Sequence, residues 1–148
     1  MSEIFDISYT ILKGYNDEIF KPRRMSSGDI GYDLSAGCQA RFNRGESHVI
    51  PLGVAFGIPD DMYGELTHRS SLAFKKDMIC SLGVIDSSFN GNEVKAKIFN
   101  LSNTYQVIDK GDRIVQIIFK KKLPTEMWWT SHISSKKSKA GFGSSGVK

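Results

Sequence analysis

Residues 93–99, Glu93-Val94-Lys95-Ala96-Lys97-Ile98-Phe99, alternate apolar and cationic side chains. Val94, Ala96 and Ile98 fall on one face, and Lys95 and Lys97 fall on the other. That period of two is what a half-buried strand requires. Three more apolar runs bounded by turn residues read as strands: His48 to Ile58, Met78 to Ile85 and Arg113 to Phe119. Glycine recurs every three to twenty residues from Gly28 to Gly111, a spacing that suits a compact all-β barrel or sandwich with tight turns. Only Ser70 to Asp77 (SSLAFKKD) reads as a helix, a short one, with Ser70 and Ser71 where an N-cap falls. There is no long internal repeat.

A chain of 148 residues has room for one domain, and 40% hydrophobic with 24% charged residues excludes wholesale disorder. No stretch approaches the 18 or so apolar residues that cross a bilayer, so no membrane association is expected. Glu3 and Asp6 stand where a secretory signal carries positive charge. Cys38 and Cys80 lie far apart and outside any CxxC pair, so they make no zinc site alone and suit a reducing compartment. The expected location is intracellular, cytoplasmic or nuclear. Charge is unevenly spread: from Lys120 onward seven lysines face one glutamate, a net of +6, whereas residues 1–119 carry a net of −2. The expected organisation is therefore a barrel domain over 1–119 and a mobile C-terminal arm over 120–148. A basic arm is either solvated, with weak affinity for nucleic acid, or it meets a polyanionic ligand.

Five segments have the composition of a site. Gly141-Phe142-Gly143-Ser144-Ser145-Gly146 has the letters of a dinucleotide-binding loop, but only Val147 and Lys148 follow it, so no helix can complete that motif. Glycines can still turn backbone N–H groups toward an anion, although a plain flexible tail explains them too. Thr67-His68-Arg69-Ser70-Ser71 gathers a guanidinium, hydroxyls and free N–H groups at a helix start, or is merely a cap with a surface arginine. Gly83-Val84-Ile85-Asp86-Ser87-Ser88-Phe89-Asn90-Gly91 ends an apolar strand on a carboxylate, which is a candidate general base or a turn aspartate bonding its own backbone. Ser27-Gly28-Asp29-Ile30-Gly31-Tyr32-Asp33-Leu34 sets Asp33 between apolar neighbours, and Gly111-Asp112-Arg113-Ile114-Val115-Gln116 reads as a turn entering a strand. His48, His68 and His132 share no metal-ligand spacing, and no serine–histidine triad is suggested.

In order, GDIGYDLSA, HRSSLAFK, GVIDSSFNG, GDRIVQIIF and KSKAGFGSSG resemble the five motifs of the homotrimeric deoxyuridine triphosphatases (dUTPases), and the resemblance runs from about Ser26 to Gly146. It implies a jelly-roll-like distorted β-barrel with one short helix and a tail that closes a neighbour's site. The implied activity is hydrolysis of dUTP to dUMP and pyrophosphate, which keeps uracil out of DNA and supplies dUMP for thymidylate synthesis. Three sites at the subunit interfaces of a homotrimer would use Mg²⁺ on the triphosphate, with no stable nucleic-acid partner.

By the same likeness Asp86 is the base that activates the attacking water. Arg69, Ser70, Ser71 and Gln116 hold phosphates, Arg113 supports them, and Asp33 reaches Mg²⁺ through water. A hairpin from Gly83, Val84 and Ile85 to Lys95 takes uracil, and Phe89 lies under the deoxyribose. From the tail, Lys137 meets the outer phosphate, Phe142 stacks on uracil, and Gly143, Ser144 and Ser145 wrap the phosphates. The chain departs from the family's usual residues at several points. Phe89 replaces tyrosine, Ser88 replaces aspartate, and Lys137-Ser138 replaces arginine-glycine, which loses the bidentate fork. One extra residue between Gly91 and Val94 predicts a bulge at Asn92 or Glu93. The rival readings are a catalytically weakened homologue that binds a nucleotide or a protein, and a dCTP deaminase.

Overall fold

The computed structural model describes residues 3–134. In it the alternation of residues 93–99 becomes a strand, Lys95–Asn100, that buries Ala96, Ile98 and Asn100 and exposes Lys95 and Lys97. In chain order the elements are β1 (Ser8–Ile11), α1 (Asp17–Phe20), β2 (Tyr32–Ser35), β3 (Ala40–Phe42), β4 (Ser47–Pro51), β5 (Val54–Gly57), β6 (Met62–His68) and α2 (Ser70–Lys76). They continue with β7 (Met78–Cys80), β8 (Gly83–Asp86), a 3₁₀ turn (Ser87–Phe89), β9 (Lys95–Asn100), β10 (Gln106–Ile108) and β11 (Arg113–Lys121). All pairings between strands are antiparallel. A four-stranded sheet runs β2-β11-β6-β8 and a three-stranded sheet runs β4-β9-β7, with the pairs β1-β5 and β10-β3 beside them. Leu34, Phe42, Ile50, Leu52, Ile98, Ile108, Ile114 and Ile117 are almost wholly buried in one continuous core. The all-β expectation holds.

Two of the expected single strands are each two strands. His48 to Ile58 breaks at Gly53, whose φ of +70° favours glycine and whose Cα faces the Tyr15 ring so closely that a methyl there would lie 2.7 Å from it. Beyond the break β4 pairs with β9 while β5 pairs with β1. Met78 to Ile85 breaks after Cys80, so β7 and β8 enter different sheets. These breaks are corners at which the chain changes layers.

The expectation of one helix is corrected: the described residues hold two. In α1 the Asn16 side chain accepts hydrogen bonds from the backbone N–H groups of Glu18 (2.9 Å) and Ile19 (3.2 Å), and Phe20 enters the core. In α2 the N-cap is Arg69, with no side-chain cap bond, and Ser70 and Ser71 are already helical. Asn100, buried at the end of β9, donates through Nδ2 to the Thr104 carbonyl (2.9 Å) and accepts from the Ser102 hydroxyl (2.6 Å). A polar side chain can be buried there because its hydrogen bonds are made. Among the described residues no helix is long and apolar enough to cross a membrane.

Candidate active site

Three strands meet at the first cluster. Asp33 on β2 lies opposite Gln116 on β11, and Gln116 lies opposite Thr67 on β6, two residues before Arg69. Largely buried, Asp33 accepts Arg69 Nε at 3.0 Å and has Arg113 Nη1 at 3.9 Å. Arg69 Nη1 also donates to the Arg113 carbonyl at 3.1 Å. Two guanidinium groups share the Asp33 carboxylate. Gln116 Nε2 donates to the His68 carbonyl at 3.3 Å. Beside these groups is a cavity of about 470 Å³ lined by Gly31, Asp33, Arg69, Ser70 and Gln116. Asp29 shapes its rim, its carboxylate accepting the N–H groups of Met25 and Ser26 at 3.1 Å each. Ser71 and Arg113 line a separate cavity of about 290 Å³ with Lys75 and Lys76. Fixed guanidinium, hydroxyl and carboxamide donors suit a polyphosphate, and carboxylates beside them suit one that carries a cation.

The second cluster is the corner after β8. The expected tight hairpin takes another form: among the described residues β8 pairs only with β6, while β9 lies between β4 and β7. A cavity of about 380 Å³ separates the two arms, lined by Ile85, Phe89, Asn92, Glu93 and Lys95. The extra residue falls where the bulge is expected: Gly91 and Val94 donate their N–H groups to the Phe56 and Val54 carbonyls, a step of three residues against a step of two. Between them Asn92 folds back within the corner, its backbone N–H and Nδ2 donating to the Phe89 carbonyl at 3.1 and 3.3 Å.

Asp86 caps the 3₁₀ turn. Its Oδ1 accepts the Ser88 N–H at 3.1 Å and the Ser88 hydroxyl, and Oδ2 bonds to none of the described residues. The Ser88 hydroxyl, then the Ser88 N–H and the nearby Lys122 charge, hold this carboxyl below the ordinary aspartate range. The local-turn reading of Asp86 is thus correct, and it leaves an ionised oxygen exposed. Asp112 likewise closes a turn by accepting the Asp109 N–H at 2.8 Å.

The structure therefore joins Asp33, Arg69, Ser70 and Gln116 in one place and Ile85, Phe89 and Lys95 in another. Gly83 and Val84 lie on the strand that leads into the second. Within one chain the two places are far apart: Asp86 lies opposite Tyr63 on β6, and Arg69, six residues on from Tyr63, follows the far end of that strand. At a strand's rise per residue that is about 20 Å. Lys137, Phe142, Gly143, Ser144 and Ser145 lie outside the described residues. Sequence reasoning gave Gly31 and Asn90 no role. Gly31 has no room for a side chain, since a methyl there would overlap the Gln116 carboxamide and lie 3.0 Å from its Cδ. Asn90 clamps the corner from behind, and only its turn context was visible in sequence.

The sequence profile of the dUTPase family matches residues 17–146. The mitochondrial deoxyuridine 5′-triphosphate nucleotidohydrolase of Dictyostelium discoideum is 35% identical over 93% of this chain and 76% of its own length. A dUTPase crystal structure from Streptococcus mutans is 28% identical, covers 80% of this chain and 98% of its own, and superposes with a TM-score of 0.73. A mutant of the Staphylococcus bacteriophage 80alpha dUTPase, solved with dUpNHpp, covers 96% of this chain and 99% of its own at a TM-score of 0.82 and 23% identity, and so shares the fold. With its family profile covering most of the chain and these relatives beside it, the protein belongs to the dUTPases, the enzymes that hydrolyse dUTP.

Proposed function

We propose that dUTP hydrolysis takes place at sites shared between protomers of a closed homotrimer. One protomer supplies the Asp33–Arg69–Gln116 cluster and another supplies the corner with Asp86. The observation that carries this reading is the spacing of about 20 Å along β6, which keeps Asp86 and Arg69 of one chain from meeting at one phosphoryl group. Three-fold closure returns such a head-to-tail contact on itself and completes every site.

In each site Asp86 Oδ2 accepts a proton from the water that attacks the α-phosphorus, while Ser88 holds Oδ1 and fixes the carboxylate's orientation. Phosphoryl chemistry depends on positioning and charge neutralisation, which Arg69, Ser70, Arg113 and Gln116 provide. Ser71 adds a hydroxyl from the adjoining cavity. Uracil enters between the arms of the corner. There the unpaired edge of β8, Gly83 to Asp86, offers backbone donors and acceptors to O4 and N3–H, and cytosine presents the reverse pattern. Phe89 lies against the sugar, where contact refuses a 2′-hydroxyl, and Lys95 closes the far wall.

No group of three or more His, Cys, Asp or Glu among the described residues could hold a metal by itself. The donor set does fit Mg²⁺ carried on the triphosphate, an ion that keeps several waters and needs one or two carboxylates. Asp33 has lone pairs left beside its Arg69 bond with which to hold a metal-bound water. When bound, Mg²⁺ neutralises charge on the triphosphate oxygens. From the tail, Lys137, Phe142, Gly143, Ser144 and Ser145 complete the enclosure.

Asp86→Asn is the test. The variant should bind dUTP as the parent does and release pyrophosphate on the order of a thousandfold more slowly. Parent-like release would remove Asp86 as the base.

A further inference from the structure

The corner that carries Phe89 is held by hydrogen bonds along one edge of β5. Val94 N–H donates to the Val54 carbonyl (2.9 Å), the Val94 carbonyl accepts Leu52 N–H (3.0 Å), and Gly91 N–H donates to the Phe56 carbonyl (3.1 Å). Along a strand, alternate residues offer their backbone groups to the same edge, so the next rung belongs to residue 58. There the chain has already turned away, through Gly91 at a φ of +81°. The Asn90 side chain makes that rung. Its Oδ1 accepts Ile58 N–H at 2.8 Å and its Nδ2 donates to the Ile58 carbonyl at 3.0 Å. A carboxamide is chemically a peptide group, and here it satisfies both polar atoms of a residue whose side chain is in the core.

Phe89 is the residue immediately before this clamp. Its ring is 39% exposed and lines the cavity of the corner, so core packing does not fix its position. Phenylalanine has no hydroxyl with which to anchor the ring itself. The backbone on either side must do so: the Asp86–Ser88 cap comes before it and the Asn90–Ile58 rung after it.

We infer that Asn90 is a positioning residue for sugar discrimination, and that its bidentate bond to Ile58 keeps the Phe89 ring close enough to refuse a ribose. The inference rests on the reading of Phe89 as the group against the sugar. A 2′-hydroxyl adds a single oxygen atom, so a shift of the ring by about 1 Å is enough to admit it, and errors of that size change rates by up to about a hundredfold.

The experiment compares kcat/KM for dUTP and UTP, by pyrophosphate release, in the full-length parent, Asn90→Ala, Phe89→Ala and the double variant. Asn90→Ala should lower the dUTP-to-UTP ratio on the order of tenfold. The double variant should be no less selective than Phe89→Ala, because the clamp acts only through the ring. A clamp that served stability alone would reduce both rates together and leave the ratio unchanged. Ile98→Val, which loosens the core elsewhere, should show that pattern. If Asn90→Ala does not fold, Asn90→Asp carries the test, since it keeps the acceptor for Ile58 N–H and loses the donor to the Ile58 carbonyl. Should Phe89→Ala retain the parent ratio, the reading of the ring is wrong. Should Phe89→Ala lose it while a folded Asn90 variant keeps it, the inference about Asn90 is wrong.

Discussion

Two inactive chains should make an active enzyme when they assemble together. Take Arg69→Gln, which removes the guanidinium bound to Asp33, and Asp86→Asn, which removes the proposed base. On the proposed assembly, each variant alone should form trimers in which every site is defective. In one chain Arg69 lies six residues beyond Tyr63, the partner of Asp86, about 20 Å away, so the proposed shared site draws the two from different protomers. Denatured, mixed equally and refolded, half the protomers offering Arg69 have it intact, and half of those offering Asp86 have it intact. Random closed assembly therefore restores about a quarter of the sites. Pyrophosphate release from dUTP should reach about a quarter of the parent rate per site in the unfractionated mixture, and about a third in mixed trimers purified through two different tags, since each of those has one complete site in three. Recovery should fall to the sum of the two residual activities if each chain builds its own site. That outcome in verified mixed trimers would refute the argument from strand register.

Ser88→Ala removes the hydroxyl that most strongly depresses the Asp86 carboxyl and keeps the backbone N–H bond. A depressed carboxyl stays proton-free to lower pH, so the parent's acid limb of kcat/KM lies below the ordinary aspartate range; the variant's limb should move up toward it, and an unmoved limb would count against the Ser88 contact. Gly31→Ala places a methyl on the Gln116 carboxamide and 3.2 Å from Gln116 Cβ, and should raise KM for dUTP on the order of tenfold with a small loss of thermal stability, because the carboxamide can swing aside but the Cβ cannot. Adding Gln116→Ala to that variant should cause little further loss. Ile98→Ala empties a fully buried position on β9 and should cost about 2–5 kcal/mol, measured by urea unfolding at fixed protein concentration.

What could be read from the sequence was local. Val94, Ala96 and Ile98 alternate with lysines because one face of β9 meets water, and that boundary is written in residue type. Strand β6 obeys the same period, burying Met62, Gly64 and Leu66, but glycine carries no apolar signature and the pattern went unseen. Gly64 is small because the Ile117 side chain occupies its space from β11, a fact 53 positions away in the chain. The break at Gly53 was hidden for a related reason, since the Tyr15 ring that demands it comes from another loop. Helix α1 did carry a signal in Asn16-Asp17-Glu18, a cap followed by an acidic first turn, but its four residues give no periodicity to support it. Motif residues such as Asp33, Arg69 and Gln116 were legible as types and as a family order. Their meeting required the β2-β11-β6 register. Asn90 was the least legible, because its partner is a backbone rather than a side chain, and 32 residues away.

Strand β8 is the outermost strand of its sheet, and the edge proposed to meet uracil is the one it leaves unpaired. An edge that reads a nucleobase by hydrogen bonding is chemically equipped to accept a stray strand as well. Exposed Leu82 and Val84 increase that hazard. Three features limit it: the strand is only four residues long, it ends in a charge at Asp86, and it turns at once into a 3₁₀ coil that offers no continuing ladder. Selectivity for a base and resistance to aggregation thus make opposing demands on the same four peptide groups. Lengthening β8 by even two apolar residues would favour self-association over substrate.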